Sequence, residues 1–300
     1  MKLTSASLDA LRVGFKAHFQ GAFDAEAGLN DYAKVAEIVT STAGEEKYGW
    51  LGELPGMREW IGSRVVHGLV EHDYAIKNRD FELTVAVDRN HILDDTLGTY
   101  ATRFKALGKA AARNPDQLVF GALKNGFTTD CYDGQPFFDT DHPVIAENGV
   151  KMSVSNIAPM GGAGMPFWYI LATKEIIKPI IYQERQKPEF VHLDKPTDQN
   201  VFSQKKFIYG VDARCNVGYS FWQMAYASNL TLTADNFASA YSALAGVKGD
   251  YGQPLGIRPS LLIVPAQYSG QARKILHADQ IEGTTNIHKG TVDLLVCPWL

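Results

Sequence analysis

Cysteine is scarce in this sequence, and its three copies, Cys131, Cys215 and Cys297, lie more than eighty residues apart. No Cys-x-x-Cys pair exists, which excludes a zinc ribbon and any disulfide framework. Sparse, unpaired thiols suit a reducing compartment. Long apolar runs are missing too. The longest, Met165 to Ala172, has eight residues and includes Pro166, whereas a bilayer-spanning helix needs about 20. Asp9 and Arg12 interrupt the N-terminal stretch, so no secretory signal is expected and the protein should be soluble and intracellular when made. Basic residues are not in excess either: 29 Lys and Arg stand against 33 Asp and Glu, a net charge of -4. That excludes extensive phosphate neutralisation on a nucleic acid. No internal repeat recurs at a period of about 20 to 50 residues.

What is present is globular material. The 300 residues are 45% hydrophobic and 21% charged, enough apolar surface to exclude global disorder. An amphipathic helix opens the chain, with Ser7 as N-cap and Leu8, Leu11, Phe15 and Phe19 on one face. After Gly21 the pattern dissolves into a mobile-looking stretch ending near Glu46. From Tyr48 to Val87 aromatic and small residues alternate around a polar, Gly-containing excursion, which predicts a long β-hairpin or extended arm. Next comes the strongest helix signal. Asp94 and Asp95 give it an acidic start, and Tyr100, Phe104, Leu107 and Ala111 share a face. Pro115 predicts a kink or a second helix running to Gly126.

The region from Thr128 to Pro166 reads as loop-rich. Strands are predicted at Phe167 to Thr173, Ile180 to Gln183, Phe207 to Val211, Tyr219 to Tyr226, Leu261 to Val264 and Val292 to Val296. Helices are predicted at Ala234 to Ala245 and Ser269 to His277. Strands and helices do not alternate regularly, so the fold class is α+β and not a doubly wound parallel sheet.

Catalytic signals are thin. The densest cluster is Asp130, Cys131, Asp133, Asp139, Asp141 and His142. It could ligate a divalent metal or activate Cys131 beside His142. Asp-Gly and Asp-x-Asp-His-Pro are also ordinary turn chemistry, and that structural reading is the stronger one. His67, Glu71 and His72 miss the inverted zincin spacing by one residue. Gly161 to Gly164 lacks the strand, helix and Lys-Ser/Thr of a phosphate loop. Ser153, Ser155 and Ser220 have no nucleophile-elbow context. Aromatics, by contrast, are plentiful in loop-like positions: Trp50, Trp60, Tyr74, Phe137, Phe138, Trp222 and Trp299. An extended arm cannot bury Trp50, Trp60 and Tyr74 within itself. Burial against a neighbouring subunit is expected, giving Trp50, Trp60, Tyr74 and Phe81 as candidate interface residues. The residues alone therefore point to a self-associating, non-catalytic protein.

Several stretches carry a family resemblance. They are Tyr48-Gly-Trp-Leu-Gly52, Arg58-Glu-Trp-Ile-Gly62, Tyr74-Ala-Ile-Lys-Asn78 with Phe81, and Asp94-Asp95 with Leu97-Gly98. Then follow Cys131-Tyr-Asp-Gly-Gln-Pro-Phe-Phe-Asp-Thr-Asp-His-Pro143, Lys178-Pro-Ile-Ile-Tyr-Gln-Glu-Arg-Gln-Lys-Pro-Glu189, Gly218-Tyr-Ser-Phe-Trp-Gln-Met-Ala225 and Val264-Pro265. In that order they resemble the major head subunits of Mu-like phages and prophages. The resemblance implies the Hong Kong 97-type capsid fold: an N-terminal arm at 1–45, an extended loop at 46–86, a peripheral domain at 87–229 with a spine helix at 96–125, and an axial-domain-like segment with a closing strand at 230–300.

The resemblance further implies a homo-oligomeric icosahedral shell around packaged double-stranded DNA contacted non-specifically. Scaffolding/protease and portal proteins would be separate chains. No cofactor, metal or membrane is implied, and the location would be the virion, with assembly in the host cytoplasm. The competing readings are an encapsulin-like protein compartment and an enzyme using Asp130, Cys131, Asp139, Asp141 and His142.

Overall fold

The structure is a computed structural model that describes residues 5–49, 51, 73–93, 98–162 and 164–300. The N-terminal part runs α1 (Ser5–Ala27), α2 (Tyr32–Val35), β1 (Ala36–Thr40), β2 (Glu45–Lys47), β3 (Ala75–Lys77), β4 (Arg79–Asp88) and α3 (Arg89–Leu93). The middle holds α4 (Thr99–Ala112), α5 (Asn114–Asn125), β5 (His142–Ile145), β6 (Lys151–Val154), β7 (Trp168–Leu171), β8 (Ile180–Leu193), α6 (Gln199–Gln204) and β9 (Lys206–Tyr219). The remainder is β10 (Ala225–Ser228), α7 (Ala234–Ala245), β11 (Leu261–Pro265), α8 (Ser269–His277), β12 (Gln280–Ile281), β13 (Thr284–Thr285) and β14 (Asp293–Cys297).

Two four-stranded sheets organise these elements. The first has the order β1-β8-β9-β4, with β1 parallel to β8 and the other neighbours antiparallel. The second has the order β10-β7-β11-β14. Its central strands, Trp-Tyr-Ile-Leu and Leu-Leu-Ile-Val-Pro, are buried throughout, as their unbroken apolar sequence requires. The α+β class is as expected. β8 and β9 are each longer than their apolar stretches; in β8 residues 184–189, polar apart from Pro188, lie at the more exposed middle of the strand.

Four expectations are corrected. The N-terminal helix does not stop at Gly21 but runs to Ala27, since Gly21 faces open space and the flanking Phe19 and Phe23 pack on the core. The supposedly mobile stretch beyond it contributes β1, whose Ala36 is fully buried. Residues 142–154 form a β5–β6 hairpin within the loop-rich region. The strand expected at Tyr219 to Tyr226 breaks, because Ser220 donates its N–H to Pro179 and Trp222 starts a 3-10 turn before β10.

The helix pair α4–α5 turns through Arg113, whose backbone stays right-handed; Arg113 donates to the Lys109 carbonyl and Gln117 to the Arg113 carbonyl. Pro115 sits in the first turn of α5, where its missing N–H costs nothing. Tyr100, Phe104, Leu107 and Ala111 are buried as their spacing predicts. Asp94 and Asp95 lie outside the described residues.

A second core joins α1, α4 and the first sheet. Phe104 stacks on Phe15 at 4.2 Å and meets Tyr209 edge-on at 5.0 Å. Gly108 allows the helices to touch: a Cβ there would lie 2.3 Å from the Phe19 carbonyl oxygen. Gly108→Ala should therefore push α1 off α4 and cost about 1–3 kcal/mol, the usual range for overpacking. Urea denaturation and proteolysis of the first thirty residues would measure it, and an unchanged α1 would refute the close contact.

Candidate assembly surface

The candidate interface residues cluster around residues 48–81, whose ends the first sheet holds. Trp50 and Trp60 lie outside the described residues, as do His67, Glu71 and His72. The flanking residues are anchored firmly. Leu51 is fully buried and Tyr48 nearly so. β2 pairs with β3, Glu45 opposite Lys77 and Lys47 opposite Ala75.

Beneath this pair lies a buried polar network centred on Gln183, the polar residue that ends the apolar start of β8. Its Oε1 accepts from the Tyr48 hydroxyl at 2.8 Å. Its Nε2 donates to the Ile76 carbonyl at 3.0 Å and to Asn78 Oδ1 at 2.7 Å. Asn78 in turn donates to Ser41 Oγ and to the Ala43 carbonyl, each at 2.8 Å. Ser41 donates to Glu46 Oε1 at 2.9 Å. The Thr42 and Ala43 amides and the Ser41 hydroxyl hold the Glu46 carboxyl below its ordinary range. Four segments, at 41–46, 48, 76–78 and 183, are thus tied at one point. The sequence offers one signal for it, a glutamine closing the apolar start of β8.

Tyr74 is engaged inside its own chain. Its hydroxyl accepts the Tyr219 N–H at 2.8 Å, and burial pushes its pKa up to about 12. Gly218 makes room beside it: a Cβ there would fall 2.3 Å from Ile76 Cδ1 and 2.9 Å from the Tyr74 hydroxyl. Phe81 is half-buried on β4, with Arg79 5.7 Å from its ring centroid. It lines a groove of about 510 Å³ between β4, β9 and the α4–α5 junction. Phe137, Phe138 and Trp222 belong to the core.

The Asp/Cys/His candidates separate in space. Asp130 and Asp141 are exposed, Asp141 accepting from the Ser153 hydroxyl. Asp139 accepts the Thr140 N–H at 2.6 Å. Only Cys131 and His142 come together, and Asp133 is the hub between them. Asp133 Oδ2 lies 2.8 Å from His142 Nδ1, while Oδ1 takes Cys131 Sγ and the Gln135 N–H, each at 3.0 Å.

Burial alone would raise the Asp133 pKa. The bonds from His142, Cys131 and Gln135 outweigh it and hold the carboxyl below its ordinary value. Burial, then the adjacent carboxylate, pushes the Cys131 thiol far up, the reverse of what a nucleophile needs. His142 is fully buried and stacks on Trp222, centroids 4.1 Å apart and planes 6° off parallel. Ligand atoms of the three residues lie within 4.8 Å of one another. Both oxygens of Asp133, however, are already engaged by protein donors. The arrangement ties a turn to a hairpin. Gly161, of the glycine-rich stretch, packs against Asn229, whose side chain accepts its N–H at 2.7 Å.

A sequence profile of the Mu-like prophage major head subunit gpT matches residues 8–300. The chain belongs to this family. It is 39% identical to the major capsid protein of Escherichia phage Mu over 308 aligned residues, covering 100% of both chains. It is 42% identical to the Mu-like prophage FluMu major head subunit of Haemophilus influenzae over 281 residues, 92% of this chain and 91% of that one. Among solved structures it is similar to the procapsid subunit of bacteriophage JBD30, with TM-score 0.84, 41% identity and coverage of 99% and 100%. It is also similar to the JBD30 capsid subunit, with TM-score 0.79, 31% identity and coverage of 100% and 99%. This Mu-like head subunit is a major capsid protein with the Hong Kong 97-type α+β fold, a virion component built into a shell of many copies. Its family is one of structural capsid proteins rather than enzymes. No helix among the described residues is long and apolar enough to cross a membrane.

Proposed function

We propose that copies of this subunit close into an icosahedral head around packaged double-stranded DNA. Assembly would take place in the host cytoplasm, with separate scaffolding/protease and portal proteins. The carrying observation is likeness over the full length to the Mu capsid protein and to the JBD30 procapsid subunit. The same relatives do not favour the encapsulin-like compartment or an enzyme. Electron microscopy of the expressed protein tests the reading. Closed shells support it, and a persistently monomeric protein at assembly concentrations overturns it.

Residues 1–45, 46–86, 87–229 and 230–300 are proposed as arm, extended loop, peripheral domain and axial-like segment, with the spine helix at 96–125. Trp50, Trp60 and Phe81 are proposed as interface anchors, and Tyr74 as support for the root of the loop. Trp60→Ala removes a typical hot-spot contribution of about 2 kcal/mol or more per contact, repeated around a closed shell. The variant should fold by circular dichroism and remain as subunits or small capsomers. Normal shells would remove Trp60 from the interface.

DNA contact is proposed to be loose. With a net charge of -4, the free subunit should bind duplex DNA weakly at physiological salt. A sub-micromolar affinity in a fluorescence titration would contradict this.

A further inference from the structure

Asparagine followed by glycine places a side-chain amide next to an unshielded backbone nitrogen. Glycine has no Cβ to screen that nitrogen or to restrict the rotation that brings it forward. The pair occurs twice in the chain, at Asn125-Gly126 and Asn148-Gly149. The fold treats the two differently.

Asn125 is the last residue of α5, and Gly126 continues in right-handed helical geometry, φ -61° and ψ -15°. The Asn125 carbonyl accepts the Thr128 and Thr129 N–H groups, each at 3.0 Å, and the Thr128 hydroxyl at 3.1 Å. Gly126 is buried, and a Cβ there would fall 2.8 Å from the Phe138 ring. Turning the Asn125–Gly126 peptide plane would break all three bonds to the carbonyl.

Asn148 and Gly149 sit exposed at the tip of the β5–β6 hairpin. Gly149 takes a left-handed backbone, φ 77°, with open space where a Cβ would be. Among the described residues this peptide plane carries one hydrogen bond, from the Gly149 N–H to the Ala146 carbonyl at 2.9 Å. Asn148 Oδ1 accepts the Val150 N–H at 3.1 Å, an Asx turn that lays the side-chain amide along the Gly149 backbone. The Val150 donor also stands where negative charge builds on Oδ1 when a nucleophile adds to Cγ.

We infer that Asn148-Gly149 is a self-modification site, at which Asn148 loses its amide nitrogen through a succinimide ring. The Gly149 amide nitrogen gives its proton to water and bonds to Asn148 Cγ. The Cγ–Nδ2 bond breaks, and the nitrogen leaves as ammonia. Water then adds to either ring carbonyl and reopens the ring. One opening gives aspartate; the other gives isoaspartate, with the main chain routed through the former side chain. The balance is an amide and water converted to a carboxylate and ammonia. Adjacency of the reacting groups supplies the reactivity. Either product adds a negative charge beside Glu147, on the rim of a cleft of about 600 Å³ that also holds Lys248 near the end of α7. Isoaspartate also lengthens the turn, where the Gly149–Ala146 and Ala146–Val150 bonds set the hairpin.

The test uses the wild-type full chain, incubated in mildly alkaline buffer either folded or unfolded in concentrated urea, then digested and mapped by mass spectrometry. In the folded chain residue 148 should convert to a mixture of aspartate and isoaspartate. It should do so at least about tenfold faster than residue 125, because one hydrogen bond must break there against three. In urea the two sites should convert at similar rates, since the fold no longer separates them. Asn148→Gln, at an exposed side chain, should fold normally and lose the acidic charge variant, because its ring would need six members. An intact residue 148 in the folded chain, over the time in which the unfolded chain converts, overturns the inference. Equal rates at 125 and 148 in the folded chain also overturn it. Aspartate without isoaspartate does so too, since direct hydrolysis would leave Gly149 no part.

Discussion

Replacing Gln183 with leucine is expected to destabilise the subunit by about 3–5 kcal/mol and to loosen the root of the extended loop before the rest of the sheet. The leucine is close in volume, so the loss comes from hydrogen bonding rather than from a cavity. Three buried groups lose a hydrogen bond together: the Tyr48 hydroxyl, the Ile76 carbonyl and Asn78 Oδ1. Each such loss in a buried site costs about 1–3 kcal/mol. Tyr48→Phe removes a single bond and should cost about 1 kcal/mol. Urea unfolding gives the totals, and hydrogen exchange at residues 45–51 and 73–78 shows whether the loss is local. A loss below about 1 kcal/mol for Gln183→Leu, with unchanged exchange there, would show that the strands hold the loop without the network. Assembly should suffer as well, because a loop with a loose root presents its anchors to a neighbour over many orientations, and fixing them costs side-chain and loop entropy on association.

How far the fold was legible depended on whether its signal was local. Helices α7 and α8 appear at the residues their apolar spacing marks, Ala234–Ala245 and Ser269–His277, and β7 and β11 follow from short apolar runs. Each buries one face or both against a contiguous core, which leaves a period in the sequence. β8 and β9 are legible only at their apolar ends, since the rest of the hairpin alternates a buried face with an open one. The length of α1 was hidden by Gly21, because the compensation for a helix glycine comes from Phe19 and Phe23 packing on a distant element. Self-association is carried by the family match and not by the arm aromatics, since Tyr74 is engaged inside its own chain and Trp50 and Trp60 lie outside the described residues. The Gln183 network was not legible, because the residues that bond to Gln183 lie 105 to 135 positions from it and nothing short of the fold brings them together.

Asp133→Ala should be the most damaging single change in the loop-rich region. In the sequence Asp133 is one member of the Asp/Cys/His cluster and half of an Asp-Gly turn. That turn does the positioning: Gly134 takes a left-handed backbone, φ 80°, which turns the chain toward Gln135, and Asp133 faces His142 across it. Alanine leaves three donors unpaired in a buried site, at His142 Nδ1, Cys131 Sγ and the Gln135 amide. The expected loss is about 3–5 kcal/mol, since each buried donor left unpaired costs about 1–3 kcal/mol.

The acid limb of the stability curve provides an independent check. The Asp133 carboxyl is held below its ordinary value in the folded chain despite burial, while in the unfolded chain it titrates near about 3.9. Its contribution is therefore fully present above about pH 4 and is lost as pH falls through the lower folded value. Wild-type urea midpoints should drop across that window, and those of Asp133→Ala should drop less. The clamp reading also requires that Asp133→Ala and His142→Ala lose stability or assembly in parallel with no catalytic turnover to lose. A stoichiometric metal ion bound by the wild-type subunit and released from both variants would replace the clamp with a metal centre. A wild-type acid limb identical to that of Asp133→Ala would leave the carboxylate without the role its three hydrogen bonds assign to it.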